Sequence, residues 1–146
     1  MKKIKCKIAH GTFWAIIMIV TIGSASGQTM KSFPKIVESN MTLDSGDYVV
    51  KGNNIVRSTV TLSLRSGTAL YFTENAVIQV KGGLNIKGKA GDFVTVTSVN
   101  TNKPGMGFAI HQESDKAIDI NYADFKELKR PLKFERYWLR PSVTIS

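Results

Sequence analysis

Residues 58–98 read STVTLSLRSGTALYFTENAVIQVKGGLNIKGKAGDFVTVTS, and the pattern of this segment indicates the fold. Apolar side chains alternate with polar ones, stop at a glycine or polar corner, and then alternate again. Period-two alternation buries one row of side chains and leaves the other in water, as in short β-strands. The apolar members are Val60, Leu62, Leu64, Leu70, Phe72, Ala76, Ile78, Val80, Leu84, Ile86, Val94 and Val96. The stretch therefore predicts an all-β core.

Two spacings in this stretch indicate a repeat. Leu62 recurs as Leu84, at an offset of 22 in the numbering, and Leu70 recurs as Val94, at an offset of 24. Offsets of this size are typical of a solenoid, in which the apolar residues of one coil stack on those of the next. Periodicity alone also allows an antiparallel β-sandwich, because its strands recur at short, regular intervals as well.

The motifs, taken in order, resemble right-handed parallel β-helix repeat proteins of the pectate-lyase-like superfamily. Residues 59–72 contain a turn glycine and an alternating strand that ends in Phe. Residues 78–88 resemble the coil V-x-G-x-L-x-x-x-G, and residues 92–98 resemble the strand I-x-F-x-S that follows it. The chain departs from the pattern by an extra glycine at Gly82-Gly83 and by Val96, where the family often has Phe.

This resemblance covers roughly residues 48–125 and implies a right-handed parallel β-helix. If residues 1–27 are removed as a leader, residues 28–146 remain. At roughly 22 residues a coil, they make a short solenoid of about five coils. The final alternating segment, residues 142–146, has no polar terminal repeat after it. We therefore expect an N-terminal fragment of a longer protein, end-to-end pairing through the open C-terminal strand, or a sandwich whose last strand pairs internally.

Residues 1–27 have the pattern of a cleaved export signal. Four lysines precede an apolar run at residues 13–22, and small residues follow at 23–27. The run is too short for a stable membrane span, which needs roughly 20 residues. We expect cleavage before Gln28, a linker or N-terminal cover over residues 28–40, and a β-helix domain over 41–146 that is incomplete at its C-terminus. The predicted location is outside the cell or at its surface.

Composition limits the chemistry. The net charge is +9, and removing the four leader lysines leaves 16 basic and 11 acidic residues, or about +5. Cys6, the single cysteine, lies in the predicted leader, so the sequence contains no thiolate metal cluster and no internal disulfide. No phosphate-binding loop motif is present. We therefore expect no cofactor, no metal and no nucleic-acid partner.

The densest charge lies near the C-terminus, interleaved with two aromatic residues. Such a segment can form a groove for an anionic polymer, or it can be a solvated outer face. The candidate ligand-binding residues are Lys129, Arg130, Lys133, Arg136, Tyr137 and Trp138. No catalytic residue is predicted from this segment.

We expect an exported, non-catalytic β-helix module for adhesion, carbohydrate contact or structural spacing, with a polysaccharide or cell-surface component as partner. Thr61, Ser63, Asn85, Thr95 and Thr97 are predicted to form a polar outer face that can hydrogen-bond sugars.

The alternative is a lyase or hydrolase of acidic polysaccharide, which the resemblance brings into consideration. A lyase needs a base beside a carboxylate that Ca²⁺ often neutralises. Asp115, Asp119 and Asp124 could supply oxygen ligands, and Lys129 or Arg130 could act as the base. Calcium is expected only under this alternative.

Overall fold

The computed structural model describes residues 29–111, 116–135 and 143–146, and these residues are all-β with no helix. They form five successive coils of three short strands each. The first two coils contain β1 (Lys31–Ser32), β2 (Ile36–Val37) and β3 (Met41–Leu43), then β4 (Gly46–Val50), β5 (Asn53–Val56) and β6 (Thr61–Arg65). The third and fourth contain β7 (Thr68–Phe72), β8 (Val77–Val80) and β9 (Gly83–Lys87), then β10 (Val94–Ser98), β11 (Gly107–Ile110) and β12 (Ile118–Asn121). The fifth contains β13 (Ala123–Phe125), β14 (Leu132–Phe134) and β15 (Val143–Ile145).

Every third strand belongs to the same parallel sheet. Sheet A has the order β1-β4-β7-β10-β13, sheet B the order β2-β5-β8-β11-β14, and sheet C the order β3-β6-β9-β12-β15. All strand pairs in the three sheets are parallel. Three stacked parallel sheets of five strands are the architecture of a β-helix solenoid. The expectation of about five coils is confirmed, and the antiparallel β-sandwich alternative is wrong.

Strand register confirms one of the two predicted offsets. Leu62 pairs with Leu84, which is the predicted offset of 22. Leu70 instead pairs with Val96, so the offset between these strands is 26 and the predicted pairing with Val94 is wrong. The buried Ser98 occupies the position above Phe72. Because the inward Ser98 is polar, the apolar pattern includes only Val94 and Val96, and it aligns this strand two residues away from its true register.

Two segments differ from the sequence expectation. Residues 31–37, expected to be a linker or cover, contribute two short strands to the first coil. The alternation of Ile118, Ile120 and Tyr122 in the sequence predicts one continuous strand, but Tyr122 has φ 50° and lies 46% exposed. Because this left-handed conformation bends the chain, Ala123 begins a strand in sheet A.

The core is a continuous column of inward apolar side chains. All twelve residues that the alternation predicted to be inward are buried, with at most 5% exposure. Phe108 bridges two coils inside the column, because its ring lies 5.8 Å from that of Phe72 and 6.4 Å from that of Phe125, edge to face in both cases. Each fully buried Val, Leu, Ile or Phe side chain stabilises the fold by about 1.5–3 kcal/mol relative to an exposed one.

Three buried polar residues, Asn54, Thr68 and Ser98, hydrogen-bond to backbone at the corners between sheets. The Nδ2 of Asn54 donates to the carbonyls of Lys51, Gly52 and Val77 at 3.2–3.3 Å. Ser98 Oγ donates to the carbonyl of Glu127 at 2.6 Å and accepts from the Gly105 amide at 2.9 Å. Thr68 Oγ1 lies 3.1 and 3.0 Å from the Leu43 and Asp44 carbonyls. These bonds tie each corner to a neighbouring coil.

The extra glycine at Gly82-Gly83 has a structural cause. A turn in the coil below, closed by the Val60 amide donating to the Arg57 carbonyl at 3.2 Å, lies against Gly82. A Cβ atom on Gly82 would be 2.1 Å from the Val60 oxygen and 2.4 Å from the Arg57 oxygen. Only glycine fits between these carbonyls, so the insertion lets the two coils stack.

Candidate functional site

The predicted basic segment is spread around a corner of the solenoid. Lys129 and Arg130 lie in the connection between β13 and β14, and Lys133 lies on β14 at the edge of sheet B. All three side chains are exposed. Arg136, Tyr137 and Trp138 lie outside the described residues. The structure therefore places three of the six candidate residues. Two of them, Arg130 and Lys133, line one small cavity of about 20 Å³ together with Val77, Met106, Phe108 and Ala109.

Two of these cations already have partners. Lys133 Nζ donates to Glu135, and the second carboxylate oxygen of Glu135 lies 3.0 Å from Nδ1 of His111. The hydrogen bond from Lys133, with a smaller contribution from His111, lowers the pKa of Glu135. Lys129 Nζ donates to Oδ1 of Asn75 at 2.7 Å. The positive charge available to a polyanion is consequently smaller than the sequence indicates.

The acids of the lyase alternative do not share a face. Asp119 lies on β12 in sheet C, where its Oδ1 accepts from Nδ2 of Asn121 at 2.6 Å. Asp124 lies on β13 in sheet A, 2.6 Å from Lys126, whose pKa this hydrogen bond and charge raise. Asp115 lies outside the described residues. Within residues 29–111, 116–135 and 143–146, no group of three His, Cys, Asp or Glu side chains could hold a metal ion.

The outer face of sheet C carries a column of polar side chains in strict register. Consecutive pairings join five outward positions, one from each coil, which are Thr42, Ser63, Asn85, Asp119 and Thr144. Parallel strands lie about 4.8 Å apart, so four steps give a column about 19 Å long. We call this set the sheet C polar column. It runs along the solenoid axis on the outer face of sheet C.

The centre of the sheet C polar column is available for hydrogen bonding. The side chains of Ser63 and Asn85 form no hydrogen bond with any described residue, and both are partly exposed. A hydroxyl and a carboxamide together offer donors and acceptors without net charge. Arg65 and Lys87, which are exposed and paired in register, flank the column on one side. The centre of this face therefore offers uncharged donors and acceptors beside two basic side chains, of which Arg65 already pairs with Asp44 at 3.2 Å.

Sequence reasoning found part of this face. Thr61, Ser63 and Asn85 lie on sheet C as one surface, whereas Thr95 and Thr97 lie on sheet A. The single polar face expected from the sequence is thus two faces at an angle to each other. The contributions of Thr42, Asp119 and Thr144 were missed. The signal that could have found them is their outward parity within alternating strands, read at the coil spacing.

A shallow groove of about 390 Å³ lies on the outer side of sheet B. It is lined by Ile36, Ile55, Arg57, Ser58, Thr59 and Lys81. Arg57 pairs with Glu38 at 2.9 Å, and both side chains are more than half exposed. An exposed pair of this kind contributes little stability. The groove offers hydroxyls and an already paired cation, which defines a weaker hydrogen-bonding surface than the sheet C polar column.

No helix in the described parts of the chain has the length and apolar character needed to cross a membrane. Comparison of the chain with protein-family models, with curated proteins and with solved structures found no match.

Proposed function

We propose that this chain is a non-catalytic β-helix module that contacts an extended carbohydrate through the sheet C polar column. The observation that carries the proposal is the register of Thr42, Ser63, Asn85, Asp119 and Thr144, which places one hydrogen-bonding side chain on each coil. A polysaccharide is a linear polymer of hydroxyl groups that both donate and accept. A column of four uncharged polar side chains and one carboxylate, about 19 Å long, matches several of its rings at once.

The composition of this face favours binding over hydrolysis. Glycoside hydrolysis generally needs two carboxyl groups on either side of the scissile bond. Among the outward positions of the described sheet C strands, Asp119 is the single acid, and its carboxylate is hydrogen-bonded to Asn121. The remaining outward side chains near it are hydroxyl, amide or basic groups. The face is suited to hold a sugar chain and leaves it intact.

Two further parts of the proposal concern handedness and location. We take the solenoid to be right-handed, because crossover connections between parallel strands of one sheet are right-handed in about 98% of cases. The motif order of residues 59–98 supports the same assignment through its resemblance to right-handed β-helices. We take the protein to be exported, because residues 1–27 have the charge, apolar run and small residues of a cleaved signal.

The test is a binding screen followed by paired substitutions. The full chain is screened against arrayed neutral and acidic polysaccharides, and the affinity for the best one is measured by calorimetry. Replacing Ser63→Ala together with Asn85→Ala removes two hydrogen-bonding groups, each worth about 1 kcal/mol, so we expect affinity to fall at least tenfold.

The matched control is Asn53→Ala with Gln79→Ala, which removes two polar groups from strands of sheet B. We expect this control to leave affinity unchanged. Failure of every polysaccharide to bind would overturn the proposal, and so would equal losses in the two double variants. Release of unsaturated sugar products during the screen would instead support the lyase alternative.

A further inference from the structure

Two apolar side chains lie on the outer face of sheet B. Ile36 on β2 and Ile55 on β5 pair in register, and their neighbours Val37 and Val56 are the residues that enter the core. Ile36 is 47% exposed and Ile55 is partly exposed. The isoleucine pair therefore gives the groove on sheet B an apolar wall. We call this groove the sheet B groove, and its lining residues are Ile36, Ile55, Arg57, Ser58, Thr59 and Lys81.

A column of charged side chains follows the strands of sheet B at the corner toward sheet C. Glu38, Arg57 and Lys81 each directly follow the last residue of β2, β5 or β8, and those last residues pair in register. Neighbouring coils are about 4.8 Å apart, so the two cations lie close to each other. Like charges on paired strands repel, and an anion between them relieves the repulsion. The groove beside them is therefore suited to a negatively charged group.

Arg57 already holds a carboxylate of the protein itself. Its Nη2 donates to Oε1 of Glu38 at 2.9 Å, and both side chains are more than half exposed. An exposed pair of this kind contributes little stability, so a competing carboxylate can replace Glu38 at small cost. The guanidinium binds carboxylates through two parallel N–H donors when the geometry allows it. The contact with Glu38 thus indicates which chemical group Arg57 can bind in a ligand.

The turn at residues 57–60 adds hydroxyl groups beside the two cations. The Val60 amide closes this turn by donating to the Arg57 carbonyl at 3.2 Å, and the turn lies against Gly82. Ser58 and Thr59 occupy the middle of the turn, and both line the sheet B groove. An ionised carboxylate accepts about four hydrogen bonds, which two cations and two hydroxyls can supply together. The polar side of the groove therefore matches one carboxylate.

We propose that the sheet B groove binds a small amphipathic carboxylate, with its charged group at Arg57 and Lys81 and its apolar part on the isoleucine pair. The groove volume of about 390 Å³ lies within the range of about 300–1,000 Å³ that is typical of small-molecule sites. A purely polar anion would leave the isoleucine pair uncovered, and a neutral apolar molecule would gain nothing from the cations. The ligand must therefore combine both properties, which a neutral polysaccharide lacks.

NMR titration of the full chain with hexanoate tests the site, with the methyl signals of Ile36 and Ile55 as the readout. We expect both signals to shift and to saturate. 1-Hexanol has the same tail without the charge, so we expect it to bind about threefold more weakly or worse. Shortening the carboxylate should weaken binding by about twofold for each methylene, because the open groove buries part of each group. Acetate should consequently bind much more weakly than hexanoate.

Substitutions in two similar ion pairs separate this site from general charge effects. Arg57→Gln should weaken hexanoate binding about threefold, and Glu38→Gln should strengthen it about twofold, because the competing carboxylate is removed. Arg65 on β6 of sheet C pairs with Asp44 at 3.2 Å, and both side chains are similarly exposed. Arg65→Gln and Asp44→Asn therefore make the same changes in net charge away from the groove. We expect these two controls to leave the affinity for hexanoate unchanged.

Three results would overturn the proposal. The first is the lack of saturable shifts at Ile36 and Ile55, and the second is equal affinity for hexanoate and 1-hexanol. The third is a gain in affinity in Asp44→Asn that equals the gain in Glu38→Gln, because net charge alone would then explain both. The titration contains no sugar, and the sheet C polar column takes no part in it. This proposal and the proposed carbohydrate contact can therefore fail independently.

Discussion

Substitution of Gly82 by alanine should destabilise the protein strongly, although the change adds one methyl group. A Cβ atom at this position would lie 2.1 Å from the Val60 carbonyl oxygen, and Cβ atoms essentially never approach a neighbour closer than 3.0 Å. The two coils would have to separate locally by about 3.0 − 2.1 = 0.9 Å. Both close neighbours are backbone carbonyls, so no side-chain rotation relieves the clash.

Two contributions determine how much the free energy of unfolding falls in Gly82→Ala. Overpacking of this kind costs about 1–3 kcal/mol. The displaced Val60 carbonyl also accepts a hydrogen bond from the Gly83 amide at 3.0 Å, and weakening it costs about 1 kcal/mol more. We therefore expect a loss of about 3 kcal/mol in the free energy of unfolding. For a domain of this size the melting temperature should fall by roughly 10 °C.

Thermal and urea unfolding followed by circular dichroism measure the loss, and Gly91→Ala supplies the comparison. Gly91 has φ +79°, and a Cβ atom there would meet nothing within 4 Å. Alanine at Gly91 therefore carries backbone strain of about 1–2 kcal/mol without a clash. If Gly82→Ala cost no more than Gly91→Ala, the stacking of the turn at residues 57–60 against Gly82 would be refuted.

Three further substitutions test other parts of the structure. Leu84→Ala removes a fully buried side chain and should cost about 2–5 kcal/mol by urea unfolding, whereas the outward Asn85→Ala should change stability by less than about 0.5 kcal/mol. Ser98→Ala leaves the buried Gly105 amide without its acceptor, so it should cost about 1–3 kcal/mol in the same assay. Lys133→Met should raise the pKa of Glu135, measured by NMR titration of its carboxyl carbon, because the hydrogen bond that lowers this pKa is lost. The Lys133–Glu135 pair stabilises the wild-type fold above the ordinary pKa of a glutamate, and this stabilisation disappears as the pH falls through the lowered pKa.

The alternation of apolar residues predicted the inside of the solenoid well. Inward residues such as Leu62 and Leu84 must be apolar in every coil, because each one packs on the inward residues of the coils above and below. Alternation could not decide between parallel and antiparallel pairing. That decision depends on which distant strands pair, and a strand shows the same inward–outward pattern in both cases.

The errors in the sequence prediction have specific physical causes. Ser98 is inward and polar, and its hydroxyl is bonded to backbone on both sides of the corner, so the pattern of apolar residues misses it. Tyr122 continues the alternation in sequence, but its left-handed conformation sends the chain into another sheet. Both cases occur at corners, where backbone hydrogen bonds and dihedral angles determine the path. Apolar periodicity carries no information about either.

The basic segment shows why charge was harder to interpret than burial. Neighbours in sequence, such as Lys129 and Lys133, predict a local concentration of positive charge. Their actual partners include Asn75, which is distant from Lys129 in the sequence, and the cluster of Glu135 with His111. Asn75 and His111 belong to other coils, and only the stacking of the coils brings them close to Lys129 and Glu135. Glu135 itself lies two residues after Lys133 and neutralises it locally. A cluster of cations in sequence therefore overestimates the charge that a ligand would meet.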